Sequence, residues 1–123
     1  MDFTRRAVTG GILVGSLSFP VLAQSRQINF IVPFPPGGSV DALARLIQDG
    51  LQQRLNATVI VENRPGANGA IGAAAVAKAT PDGTTLMATF DSHSTIPALL
   101  DKPPLNIETD LVPVMLVGKA PYI

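Results

Sequence analysis

The sequence predicts an α/β fold built on a parallel sheet, and three observations carry that prediction. Short apolar or β-branched runs alternate with helical patterns across residues 27–117. Gly/Pro-rich segments join them, and such alternation closes over a sheet through right-handed crossovers. The 123-residue chain is 46% apolar and has no cysteine, so an ordinary core must hold it, without disulfides or a thiolate metal site.

The elements follow in order. Gln27–Val32 (QINFIV) is a short apolar run and the first strand. Asp41–Leu55 is a helix whose Leu43, Leu46, Ile47, Leu51 and Leu55 recur at spacings of three and four, with Arg45, Gln48, Asp49 and Gln52 on the opposite face. Thr58–Glu62 (TVIVE) is β-branched and forms the second strand. Asn68–Ala79 is alanine-rich, a helix able to pack closely on a sheet. Thr80-Pro81-Asp82-Gly83 has the residues of a turn, and Thr84–Phe90 the pattern of a third strand. Thr95–Leu100 begins a third helix, Pro103 and Pro104 break it, and Val112–Val117 reads as a fourth strand.

Residues 1–23 have the three parts of a cleaved export signal: Arg5 and Arg6, the apolar stretch Ala7–Leu22, and the cleavage site Val21-Leu22-Ala23, with Gln24 as the first mature residue. A membrane span needs about 20 mostly apolar residues, and this stretch is interrupted by Gly10, Gly11, Gly15 and Pro20. The arginine pair partly matches a twin-arginine signal, although the usual aromatic and leucine residues are absent, so both export routes stay open. Loss of Asp2, Arg5 and Arg6 leaves seven basic and eight acidic residues, a balance that excludes an electrostatic footprint for nucleic acid or anionic lipid. No closing helix follows the fourth strand, and residues 24–123 are expected to be the N-terminal, truncated part of a first α/β domain.

Ligands of an open parallel sheet bind beyond the carboxyl ends of its strands. Three loops fall there: residues 33–39, residues 63–69 and residues 91–94. The first two are rich in Gly and Pro and each opens a helix, where unpaired amides and the helix dipole favour an anion. Two such loops on one edge point to a carboxylate site. Asp41, in the first helical turn, is expected to cap the helix, leaving Ser39 and the amides of Gly37 and Gly38 for a ligand. His93 is the single histidine. Neighbours along the chain cannot form a triad, and without a second histidine or clustered carboxylates no metal site is expected. Glu62 ends a strand where a ribose-binding acid could stand, but G-x-G-x-x-G and the P-loop pattern are both missing, so no cofactor is expected.

PFPPGGSVDALARLI, VIVENRPGANGAIGAAAVAKATPDGTTLM, FDSHSTIPAL and TDLVPVMLVGKAPYI together resemble the Bug family, the periplasmic solute-binding receptors of the tripartite tricarboxylate transporter type. The resemblance covers the whole mature chain. It implies a periplasmic binding protein type II-like fold of two α/β domains around a cleft, of which only the N-terminal portion is present. It further implies that Phe34, Pro36, Gly37, Gly38 and Ser39, and Gly66, Ala67, Asn68 and Gly69, line the cleft, with Ser92 and His93 touching the solute. That solute would be a di- or tricarboxylate, an acidic amino acid or an aromatic carboxylate, bound in the periplasm by a monomer without chemical change, either for uptake through a tripartite membrane complex or for sensing. Asn68 and Val40 depart from the family pattern, where Gly and a small polar residue are usual. The alternatives are an α/β enzyme and a non-binding remnant.

Overall fold

The computed structural model describes residues 26–119, so the expected export signal lies outside the described residues. Three parallel strands form one sheet in the order β2-β1-β3. They are β1 (Arg26–Val32), β2 (Ala57–Asn63) and β3 (Thr85–Met87). The register runs from Arg26 opposite Ala57 to Val32 opposite Asn63, and from Asn29 opposite Thr85 to Ile31 opposite Met87. β1 is therefore central, with neighbours on both edges, and this is why its apolar run is continuous rather than alternating: Ile28, Phe30, Ile31 and Val32 are all buried.

One face of the sheet is covered by α1 (Ser39–Leu55) and the other by α2 (Ala70–Ala77). The face that α1 buries differs from the leucine stripe expected from spacing. Val40 and Ala44 are buried, and Ile47 and Leu51 pack behind them on Ile28, Phe30, Val32 and Val59. Leu43 is 38% exposed and Leu46 79%. Val40 and Ala44 are the apolar residues of α1 buried against the strands, and two glutamines tie the same side of the helix to β2. Gln48 Nε2 donates to the Val59 carbonyl (2.7 Å), and the Val59 amide donates to Gln52 Oε1 (3.2 Å). These side chains occupy backbone groups on the outer edge of β2, a position that otherwise presents unpaired donors and acceptors. Expected on the solvent face, both are bound to the sheet.

α2 is shorter than expected at both ends and works through small side chains. Ala73 and Ala74 join Leu105 in a second core, with Met87, Ile107 and Leu111 around it. β3 is also short, although Asn29 N–H to Thr84 O (2.8 Å) and Ala88 N–H to Ile31 O (2.9 Å) carry its pairing slightly further. After it come a 3-10 turn (Asp91–Thr95), α3 (Ile96–Leu99) and α4 (Ile107–Asp110). In α4, Asn106 caps the Glu108 amide while Asp110 accepts the Asn106 amide.

The fourth strand does not form. Residues 111–119 have no regular structure, and Val112, Val114, Met115 and Leu116 are each at least two-thirds exposed. β-rich composition marks a segment that can pair, but a strand exists only against a neighbour, and this run pairs with no strand among the described residues.

Two glycines separate close packing from simple helix propensity. A Cβ on Gly72 would stand 2.7 Å from Pro33 Cβ and 2.9 Å from the Arg64 carbonyl oxygen, so α2 can lie on the β1 loop only without one. Gly50, in the middle of α1, has nothing within 4 Å of the same position. Gly72→Ala should destabilise the full-length protein by about 1–3 kcal/mol. Gly50→Ala should stabilise it by about 0.5–1 kcal/mol. Equilibrium denaturation measures both.

Candidate functional site

The loop after β1 (residues 33–38) leads directly into α1, and a buried carboxylate holds it in place. Asp41, 4% exposed, accepts the Gly37 amide at 2.9 Å and Arg45 Nε at 3.1 and 3.0 Å on its two oxygens. Its Oδ1 also accepts Asn63 Nδ2 at 3.0 Å. Asn63, the last residue of β2, donates from the same nitrogen to the Phe34 carbonyl (3.1 Å) and accepts Arg45 Nη2 on Oδ1 (3.2 Å). The Arg45 bonds, the Gly37 amide and the Asn63 amide together hold the Asp41 carboxyl down at about 2, against an ordinary 3.8.

Asp41 thus does not act as the expected cap. The N-cap is Gly38, whose extended backbone carries no capping side chain. Asp41 reaches back past the helix start to Gly37 instead. That leaves the first-turn amides of α1 without an intrahelical acceptor, as in any helix. It also engages the Gly37 amide, which capping by Asp41 would have left for a ligand.

Phe34 is the meeting point of the three loops. Its ring stacks on Phe90 with centroids 4.5 Å apart and planes 7° from parallel. On the second loop, the Gly69 Cβ position lies 3.6 Å from Phe34 Cζ, so a larger residue there would crowd the ring. Between the first loop and Phe90 lies an open hollow of about 370 Å³, lined by Phe34, Pro35, Pro36, Gly37, Gly38, Ser39, Val40 and Phe90.

The second loop turns through consecutive left-handed residues, with φ of 132° at Gly66, 46° at Ala67, 54° at Asn68 and 91° at Gly69. Here the expected start of the helix at Asn68 gives way to a 3-10 turn (Ala67–Gly69), and α2 begins at Ala70. Arg64 is exposed as expected, and its guanidinium is engaged by Glu62 at 2.7 Å. In the third loop, Ser92 Oγ and both His93 ring nitrogens are shut away from solvent with no hydrogen-bond partner among the described residues, and burial lowers the His93 pKa.

The structure therefore gathers Phe34, Pro36, Gly37, Gly38 and Ser39 around one hollow and brings Gly69 against its Phe34 wall. Gly66, Ala67, Asn68, Ser92 and His93 are not among the residues lining it. Sequence reasoning missed Phe90 and Asn63. The signal for Phe90 was a lone aromatic ending the third apolar run; for Asn63 it was a side-chain amide at a strand end beside a loop that lacks its own hydrogen bonds.

A parallel sheet with its loops gathered at the carboxyl edge around an open hollow defines the class: an α/β domain of the open-sheet type. The chain belongs to the tripartite tricarboxylate transporter family receptor group, whose family model matches residues 43–123. This is a family of periplasmic solute receptors, not of enzymes, which corrects the α/β-enzyme alternative. The chain is 41% identical over 130 residues to Protein BugT of Bordetella pertussis, an alignment covering 100% of this chain and 40% of that protein. To a UPF0065 protein of Bordetella bronchiseptica it is 45% identical over 98 residues, covering 79% and 29% respectively. Among solved structures, MatC from Rhodopseudomonas palustris with bound malate matches at 42% identity and a TM-score of 0.49, covering 56% of this chain and 22% of that one. The chain spans about two fifths of the length of the first relatives it matches.

The Asp41 network makes a prediction with a definite sign. A carboxyl held lower in the folded state contributes stability above its ordinary value and loses it as pH falls through its folded value. The melting temperature of the full-length protein should therefore fall between about pH 4 and 2, and the fall should be shallower in Asp41→Asn. Thermal melts across that range compare the two slopes; equal slopes would remove Asp41 from the acid response.

Proposed function

We propose that the chain is part of a periplasmic receptor that captures a small carboxylate-bearing solute, a di- or tricarboxylate, an acidic amino acid or an aromatic carboxylate, and presents it to a tripartite membrane transporter. The observation that carries this reading is the loop after β1. Its conformation is fixed from behind by Asp41 and Asn63, while its front faces a 370 Å³ hollow at the start of α1. First-turn amides and the positive end of the helix dipole supply directed donors for a carboxylate. Because those donors are backbone groups, the site attracts an anion without a charged side chain on this wall.

In this reading Phe34, Pro36, Gly37, Gly38 and Ser39 form the principal wall, with Gly37 shaping the turn rather than donating. Gly66, Ala67, Asn68 and Gly69 form the neighbouring wall. Ser92 and His93 come into reach only if the third loop shifts on binding, since their polar atoms are enclosed. Residues 1–23 act as the export signal, the receptor works as a monomer, and no cofactor takes part.

Gly38 offers the cleanest test. Its φ of −76° is open to any residue, and an added Cβ meets only the Pro35 carbonyl oxygen at 3.5 Å. Gly38→Val should leave the fold of the full-length protein intact but place methyl groups over the hollow. Affinity for the preferred carboxylate should fall about thirtyfold, equivalent to about 2 kcal/mol, as measured by titration calorimetry. Undiminished binding, or equal binding of the neutral amide of the same acid, would overturn the anion site.

A further inference from the structure

The hollow carries more information than a place for one carboxylate. None of the residues lining it bears a charged side chain, and its far wall is an aromatic ring. Phe90 is 43% exposed although its ring lies stacked on Phe34, so part of an apolar surface stays open to the hollow. Arg45, early in α1, is engaged with Asp41 and Asn63, and Arg64 of the second loop with Glu62. The carboxylate standing directly behind the loop, Asp41, is itself paired with Arg45, so this pair supplies no uncompensated charge to the hollow. A second carboxylate placed on this wall would meet no cationic side chain among the lining residues and would lie against apolar aromatic surface that cannot hydrogen-bond it.

We propose that this wall selects a solute whose single terminal carboxylate sits at the start of α1 and whose adjoining segment is apolar, lying across the exposed part of Phe90. The inference rests on the receptor reading and sharpens it: Phe90 becomes a specificity-determining residue, and clustered charge at this end of the solute becomes unfavourable. An apolar segment covering the ring gains by its removal from water, on the order of 25 cal/mol per Å². A compact, densely charged acid gains nothing there.

The test is titration of the full-length protein with hexanoate and benzoate, and with citrate as the densely charged comparison, beside benzamide. Hexanoate and benzoate should bind more tightly than citrate. Phe90→Gln should weaken them about tenfold, as expected for roughly 50–60 Å² of lost apolar contact, and change citrate by less than about twofold. Phe90→Leu keeps an apolar surface without the ring stack and should retain most of the hexanoate affinity, which separates contact with the solute from a merely structural role. Citrate binding tightest, or Phe90→Gln weakening every acid equally, would overturn this proposal while leaving a carboxylate receptor in place. Benzamide binding as well as benzoate would overturn the anion site itself, and with it both readings.

Discussion

One buried carboxylate organises this edge of the molecule. Asp41 accepts hydrogen bonds from three parts of the chain: the turn before α1, the helix itself and the end of β2. Burying a charge is costly unless it is paired and fully hydrogen-bonded, and that requirement dictates the rest. Arg45 must stand one helical turn further on, Asn63 must end its strand at this level, and Gly37 must turn its amide inward. With Asn63 fixed, the Phe34 carbonyl is fixed too, and the Phe34 ring projects to where Phe90 and Gly69 meet it. The hollow is the space that remains in front of this arrangement.

Much of the architecture was legible in the residues. Alternation of apolar runs with helical patterns located three parallel strands and the two helices that cover them, because burial on both faces leaves that mark on composition. Rotation of a helix is harder to read. Val40, Ala44, Ile47 and Leu51 share a spacing with the leucines that stay exposed, and only the hydrogen bonds of Gln48 and Gln52 to Val59 settle which face turns inward. The fourth strand shows the opposite limit: Val112–Val117 has strand composition, but pairing depends on a neighbour that composition does not specify.

The site divides along similar lines. Gly37, Gly38 and Ser39 could be placed from the sequence because a Gly/Pro-rich turn between strand and helix has few other arrangements. The role of Asp41 could not, since capping its own helix and reaching back to Gly37 require the same residue at the same position. Asn63 and Phe90 act across more than twenty residues of chain, on Asp41 and on Phe34 respectively. Ser92 and His93, expected to touch the solute, are half-buried on a 3-10 turn over residues 91–95 with their polar atoms enclosed.

The second loop has a consequence for how such a wall can diverge. Its run of left-handed residues includes Ala67, whose side chain tolerates that conformation only at a cost of about 1–2 kcal/mol, and Gly66, where a Cβ would sit 2.5 Å from Ile71. Replacing Gly66 or Gly69 adds strain before it alters a contact, and at position 67 only glycine would relieve the strain. The first loop is different, since Pro36 and Ser39 are exposed and Gly38 has ordinary backbone angles. The two loops therefore differ in how freely they accept a new side chain. A side chain added at Gly66 or Gly69 in the second loop is strained from the outset, whereas Gly38 in the first loop has room and ordinary angles for one.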